Sequence, residues 1–250
     1  MAWSSVGGIV VVGRRNMVMN GHGVLLGSPY ISIVIPTLNE EKNIAAVIKG
    51  VKKVLAGYSY EIIIVDGYSK DNTVKIARRF GAKVLYDNVG KGSALVKGLR
   101  AAKGEVQISM DADMSNKPQE LKLLVAGLEA GYDVCMGSRF ITGGGSEDMP
   151  LIRRFGDRMF VHLVNLLFHA HYTDLCYGYR SFRKGVIDKM KISEMGFGIE
   201  TEMNIKAIKA GLRILEVPSL EKKRMHGRGH LRTFHDGYII LKTIIRNVFK

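Results

Sequence analysis

The chain carries almost nothing that would staple it, anchor it or mark it as a common nucleotide binder. Its 250 residues include two cysteines, Cys135 and Cys176. They form no CxxC pair, which excludes a disulfide framework and a zinc finger and makes a reducing, cytoplasmic setting the default. The seven histidines include His169 and His171, but with no matching Cys or His pair near these two no zinc site is expected. No stretch approaches the roughly 18 to 20 uncharged apolar residues that span a bilayer. The nearest, FVHLVNLLFHA at 160–170, is interrupted by His162, Asn165 and His169. Glycine patterns for phosphate and dinucleotide loops are missing as well. Lys91 is followed by Gly92 without the upstream spacing of a Walker loop, and GHGVLLG at 21–27 has the wrong spacing for a dinucleotide fingerprint. No basic and aromatic platform of the RNA-binding type occurs, so nucleic acid is not an expected partner.

Acid is scarce relative to base. Lys and Arg number 37 against 23 Asp and Glu, a formal charge of +14, which points to phosphates or an anionic membrane surface. Hydrophobic residues make up 46% and charged residues 24%, the composition of an ordinary globular core. Residues 1–28 contain apolar runs shorter than a signal-peptide core, with arginines after the first run instead of before it. They are expected to form a poorly ordered extension to a single domain at 29–250.

From residue 30 short β-rich runs alternate with helical patterns: YISIVIP, NEEKNIAAVIKGVKKVLAG, YEIIIVD, NTVKIARRFG, AKVLYD, then a helix at SALVKGLRAAKG and a strand at EVQISMDAD. This is the signature of βαβ units and a mostly parallel sheet, and strands apolar throughout imply helices on both faces. The fold class predicted is α/β and Rossmann-like. Ligands in such sheets bind beyond the carboxyl ends of the strands.

Those ends are where the polar residues fall. IPTLNEE closes the first strand with Pro36, Thr37, Asn39 and Glu40, suited either to a nucleoside or to capping the next helix. Asp66 closes the second, where an acid can accept from a base N–H or shape a turn with Asp71 and Asn72. Lys91, between Gly90 and Gly92 at a helix start, suits phosphate. Asp111 and Asp113, one residue apart in an extended strand, would point to one face and share a Mg²⁺ or Mn²⁺ whose other ligands are substrate phosphates. The alternative there is a strand end with Ser115 or Asn116 as helix cap. Arg139, after the next strand, can grip a phosphate through two hydrogen bonds. Glu200 and Glu202 in GFGIETEMN are candidate bases or simply first-turn acids.

Together these motifs resemble family 2 glycosyltransferases of the GT-A fold, particularly the polyprenyl-phosphate sugar synthases. IPTLNEE, VDGYSKDNT, NVGKGSAL, MDADMS and GSRF match the family's successive motifs, and TDLCYGYRSFRK and the basic loop MHGRGHLRTFHDG continue the match, so the likeness covers about residues 30–250. The resemblance implies a donor half at about 29–140 and an acceptor half at about 141–250. It implies metal on Asp111 and Asp113, a nucleotide-sugar donor held by Asp66, Glu40 and the basic loop with Arg228, and Arg139 facing a phosphate. Two positions depart from the pattern: Gly67 replaces the second acid of an Asp-Asp pair, and Ser115 stands where a glutamine is usual. The implied reaction is an inverting, metal-dependent transfer to a polyprenyl phosphate, with a hydroxyl acceptor as the alternative.

The last 30 residues hold eight Lys and Arg against two acids. HDGYIILKTIIRNVFK sets Lys242, Arg246 and Lys250 on one side and Tyr238, Leu241, Ile245 and Val248 on another. This basic amphipathic helix is expected either to lie peripherally on the cytoplasmic face of an anionic membrane or to pack on the domain.

Overall fold

The computed structural model describes residues 19–20, 23–24, 28–227 and 233–249. The extension read in residues 1–28 thus lies outside the described residues except for Ser28 and a two-residue antiparallel pair, Met19–Asn20 with Gly23–Val24. Arg228 and Lys250 also lie outside.

The elements follow the alternation in the sequence: β1 Ile31–Thr37, α1 Ile44–Val54, β2 Tyr60–Asp66, α2 Thr73–Arg79, β3 Lys83–Tyr86, α3 Lys91–Ala101, β4 Val106–Ser109, α4 Leu121–Glu129 and β5 Val134–Ser138. The later chain adds α5 Leu151–Phe168, β6 Arg180–Arg183, α6 Val186–Met190, α7 Ile199–Lys209, β7 Ile214–Pro218 and α8 Thr233–Val248. Seven strands form one sheet in the order β7-β5-β6-β4-β1-β2-β3. All neighbours are parallel except β6, which runs antiparallel between β4 and β5. That strand comes from TDLCYGYRSFRK, whose polar and aromatic residues carry no clear strand period.

Strand β1 shows why its sequence is mostly apolar on both faces. Ile31, Ile33 and Ile35 pack with α1 and α4 on one face, while Val34 packs with α3 and α7 on the other, all fully buried. Each such side chain contributes about 1.5–3 kcal/mol by leaving water. In α1 the residues Ile44, Val47, Ile48 and Val51 recur at helical spacing and form the buried stripe. On the other face α3 approaches so closely that a Cβ at Gly98 would lie 2.3 Å from Val34 Cγ1. The outer helices differ. Large apolar residues of α5 (Leu151, Phe155, Leu166) and of α8 (Phe234, Tyr238, Ile245) remain exposed. No helix among the described residues is long and apolar enough to cross a membrane.

Candidate active site

The ends of β1, β4 and β5, the start of α3, and α5, α7 and α8 enclose a cavity of about 840 Å³, within the range of small-ligand sites. Pro36, Thr37, Glu40, Lys91, Asp111, Asp113, Arg139 and Glu200 all line it. Asn39, Asp66 and Glu202 are not part of its lining.

Asp111 and Asp113 reach the cavity by a different route from the one their spacing predicts. β4 pairs only through Ser109, and the chain then turns through Met114 at φ +68°. The Asp111 N–H donates to Asn116 Oδ1 (2.7 Å) in place of a neighbouring strand, and Asn116 Nδ2 donates to the Tyr177 hydroxyl (3.1 Å). A turn, then, and not strand alternation brings the two carboxylates into the same cavity. Neither Ser115 nor Asn116 caps a helix. Ser115 donates its N–H to Asp113 Oδ1 (2.9 Å), and the 3-10 turn Pro118–Glu120 begins without a side-chain cap.

Each of these carboxylates faces a cation. Lys91 Nζ lies 3.1 Å from Asp111 Oδ1 and 3.0 Å from Glu200 Oε1. Burial pulls the Lys91 pKa down, but the two carboxylates outweigh it and hold the ammonium well above its ordinary range. Arg224 Nη2 lies 3.4 Å from Asp113 Oδ2, and its Nη1 lies 2.8 Å from Glu40 Oε1. The segment around Arg224 is tied down by backbone contacts from Lys222 N–H to Ser115 O (2.9 Å) and Met225 N–H to Asp113 O (3.0 Å). Asn43 Nδ2 adds a bond to His226 O (3.1 Å). Arg228, the loop residue suggested by the sequence, lies outside the described residues, and Arg224, just before that loop, is a cation that sequence reading did not single out. The usable signal was its position just beyond a strand end, at Leu220–Glu221.

The glycines beside Lys91 answer to packing. A Cβ at Gly90 would lie 2.5 Å from Met195 O, and one at Gly92 would lie 2.8 Å from Glu194 O. Glu202 holds that neighbouring loop: it accepts from Ser193 N–H (2.8 Å), Ser193 Oγ (2.6 Å) and Glu194 N–H (2.6 Å), and pairs with Lys206 (3.1 Å). Burial raises its pKa, and these donors overcome burial and lower it. Of the two candidate bases, only Glu200 faces the cavity, and it is bound to Lys91.

Asp66 is fully buried and accepts from Thr37 Oγ1 (3.1 Å), Ser69 N–H (2.8 Å) and Ser69 Oγ (2.6 Å). Three of its roughly four lone-pair positions are thereby used. It shapes the loop after β2, while Val65 and Gly67 on either side of it form the wall. Asn39, at φ +55°, accepts the Lys70 N–H (2.9 Å) and clasps the same loop. Asp71 accepts the Thr73 N–H (2.9 Å), as an acid at the start of α2 should.

Arg139 is caged where an open clamp was expected. Its Nε lies 2.8 Å from Asp174 Oδ2, its Nη2 3.1 Å from Asp157 Oδ2 and its Nη1 3.2 Å from Glu221 Oε2, with its side chain 6% exposed. Burial lowers its pKa, and Asp174, Glu221 and Asp157 raise it further than burial lowers it. Three carboxylates use the donors that a phosphate would need. Asp157 itself is pushed above the usual carboxylate range by burial, against the pull of Arg139. Neither thiol is activated: burial raises Cys135 to about 12, and burial with Asp157 and Asp174 raises Cys176 well above its ordinary value. Sequence reading missed Asp157, Asp174 and Glu221: Asp174 lies in TDLCYGYRSFRK without being singled out there, and the other two lie in no quoted motif.

No cluster of three or more His, Cys, Asp or Glu suited to a metal exists among the described residues. Asp111 and Asp113 still fit Mg²⁺ or Mn²⁺ of the kind that takes one or two carboxylates and completes its shell with substrate phosphates and water.

A cavity at the carboxyl ends of a mostly parallel sheet, lined by carboxylates and basic residues, is the arrangement of the GT-A glycosyltransferase fold. The chain belongs to glycosyl transferase family 2, whose sequence model matches residues 32–191. A dolichol-phosphate mannosyltransferase of Pyrococcus furiosus is 30% identical over 81% of this chain and 59% of its own length. The chain thus spans well under two thirds of that relative. A dolichyl-phosphate hexose transferase of Haloferax volcanii is 30% identical over 86% of this chain and 92% of its own. Among solved structures, glucosyl-3-phosphoglycerate synthase from Mycobacterium tuberculosis, in complex with Mn²⁺, UDP and glucosyl-3-phosphoglycerate, superposes with a TM-score of 0.71 at 22% identity. That match covers 88% of this chain and 80% of the other.

Proposed function

We propose that the protein transfers a sugar, with inversion, from a GDP- or UDP-linked donor to a polyprenyl phosphate at an anionic membrane surface. The observation that carries the acceptor is the pair of helices walling the cavity. Ile152, Arg153 and Phe160 of α5 and Gly237 and Ile240 of α8 line it, while the outer faces of the same helices expose Leu151, Phe155, Tyr238 and Ile245 beside Arg154, Arg158 and Lys242. Apolar side chains interleaved with cations fit a lipid headgroup region. Tyr238, Leu241, Ile245 and Val248 are 36–65% exposed, while Ile240 and Ile244 pack α8 against α5 and α7 and Arg246 turns inward to Glu194 (3.0 Å).

In this reading Asp111 and Asp113 hold Mg²⁺ or Mn²⁺ on the donor diphosphate, where the ion supplies charge neutralisation for the leaving group. Lys91 and Arg224 add fixed positive charge for the same departing oxygens. Pro36, Thr37 and Glu40 form the nucleoside side, with Asp66 and Asn39 shaping it from behind. The basic loop, with Arg228, closes over the phosphates. A phosphate acceptor is already anionic and needs no base, which agrees with Glu200 being committed to Lys91. Residues 29–140 then serve the donor and 141–250 the acceptor.

The test is turnover across UDP and GDP sugars with Mn²⁺, with and without a short polyprenyl phosphate, using Asp111→Ala and Asp113→Ala as controls. Lipid-dependent release of one nucleoside diphosphate, lost in both variants, supports the reading. Donor hydrolysis or transfer to a hydroxyl without any lipid response overturns the acceptor assignment.

A further inference from the structure

The two acids assigned to the metal are each already paired with a cation that the chain itself provides, and each cation leans on a second acid from another element. Lys91 bridges Asp111 and Glu200 at 3.1 and 3.0 Å. Arg224 bridges Asp113 and Glu40 at 3.4 and 2.8 Å. All six side chains line the same cavity. Four carboxylates and two cations leave a formal charge of −2, so the site attracts a divalent cation, but its two nearest carboxylates are not free to receive one.

We propose that Lys91 and Arg224 act as exchangeable counterions that make metal and nucleoside diphosphate bind together rather than separately. This rests on the metal reading of Asp111 and Asp113 given above. A divalent ion arriving alone must share both carboxylates with an ammonium and a guanidinium, which it also repels. A diphosphate arriving alone meets four carboxylates. When both arrive, phosphate oxygens take over Lys91 and Arg224 while Asp111 and Asp113 turn to the metal. Glu200 and Glu40 keep a hold on the two cations, so neither loses its charge partner entirely during the exchange.

The geometry suits such a change of partner. Lys91 and Arg224 keep 28% and 18% of their side-chain surface exposed, unlike the 6% of Arg139. Arg224 meets Asp113 at a longer distance than Glu40, so its weaker contact is the one on the metal-binding acid. Coupling between two ligands of this kind is typically about 5- to 150-fold in affinity, and it is reciprocal.

A nucleoside diphosphate that chelates the metal also produces coupling, so the distinguishing result is what Lys91 and Arg224 do to the metal alone. The measurement is the binding of Mn²⁺ to the full chain, followed by the loss of the free-ion paramagnetic resonance signal, first alone and then with GDP or UDP. If the two residues are competing counterions, Lys91→Met and Arg224→Gln each tighten binding of Mn²⁺ alone by about fivefold or more, while weakening diphosphate binding, so that the coupling falls by at least that factor. If they serve only as phosphate clamps or as structural ion pairs, Mn²⁺ alone binds both variants no more tightly than the wild type, and the proposal is overturned. Arg224→Gln, on the more peripheral segment, carries the test if Lys91→Met, which leaves the buried Glu200 unpaired, does not fold. Failure of wild-type protein to bind Mn²⁺ even with either diphosphate would instead sink the metal reading itself.

Discussion

Lys91 and Arg139 are both cations ringed by carboxylates beside the same cavity, and they are built for different work. Lys91 sits at the first position of α3 with two acids around it and an open side. Arg139 lies just past β5 inside three acids and is closed off. One arrangement leaves positive charge available to an incoming anion. The other consumes it, because the planar guanidinium satisfies its acids from several directions at once and has no fork left to offer. An arginine in a family motif beside a phosphate site reads from sequence as a ligand; here the surrounding acids make it a cross-brace joining β5, α5 and the segment before β6.

The difference is sharpest under truncation. Arg139→Met is expected to destabilise the fold by about 3–5 kcal/mol, the usual result of removing one partner from a buried ion pair, and more here if the three acids cannot all protonate. Urea unfolding checks this, and a loss below about 1 kcal/mol would mean that the cage opens to water and that Arg139 is free for ligand after all. Lys91→Met should divide the two effects the other way. Turnover falls about 100-fold, as when a single donor is removed from a charge-stabilising site, while the destabilisation from leaving Glu200 without its ammonium stays smaller than that of Arg139→Met. A variant that loses stability as Arg139→Met does would erase the contrast.

Glu202→Gln probes how Lys91 is held. The amide cannot accept at both oxygens, so the bonds from Ser193 and Glu194 weaken, at about 1.5–3 kcal/mol for a hydrogen bond to a charged group. The loop that abuts Gly90 and Gly92 then loosens. The expected signature is faster amide exchange at 193–196 with donor affinity reduced more than the global unfolding free energy. Unchanged exchange there would detach Glu202 from the positioning of Lys91.

Much of this was legible in the sequence, for identifiable reasons. Strands buried on both faces are apolar along most of their length, so β1, β2 and their helices stand out in order, and polar residues at their ends mark the cavity. What stayed hidden depends on contacts between distant segments. Nothing local distinguishes Glu200 from Glu202, two residues apart on α7, although one faces the cavity and the other a neighbouring loop. Asp66 could be read either as a ligand to a base or as a turn former, and the Thr37 hydroxyl that helps settle it on the turn comes from another strand. The spacing of Asp111 and Asp113 suggested strand alternation because the turn at Met114 leaves no glycine or proline as a sign. The cage around Arg139 draws Asp157, Asp174 and Glu221 from three separate stretches, and no motif joins them.

The cage also has a pH signature. Burial raises the folded-state pKa of Asp157 above its ordinary value even though Arg139 stands beside it, so the folded protein holds that proton more tightly than the unfolded chain does. By linkage, protonated Asp157 favours the folded state, and this contribution is fully present below the ordinary carboxylate pKa of about 4. It is lost as pH rises through the raised folded-state value, above which ionised Asp157 is a constant cost. Asp157→Asn removes the titration while keeping the shape, and Asp174 and Glu221 still neutralise Arg139. The melting temperature of Asp157→Asn relative to wild type should therefore climb as pH increases from about 4 to 7. A relative stability that instead falls over that range would mean that the pull of Arg139 outweighs burial, and that the cage needs all three of its charges.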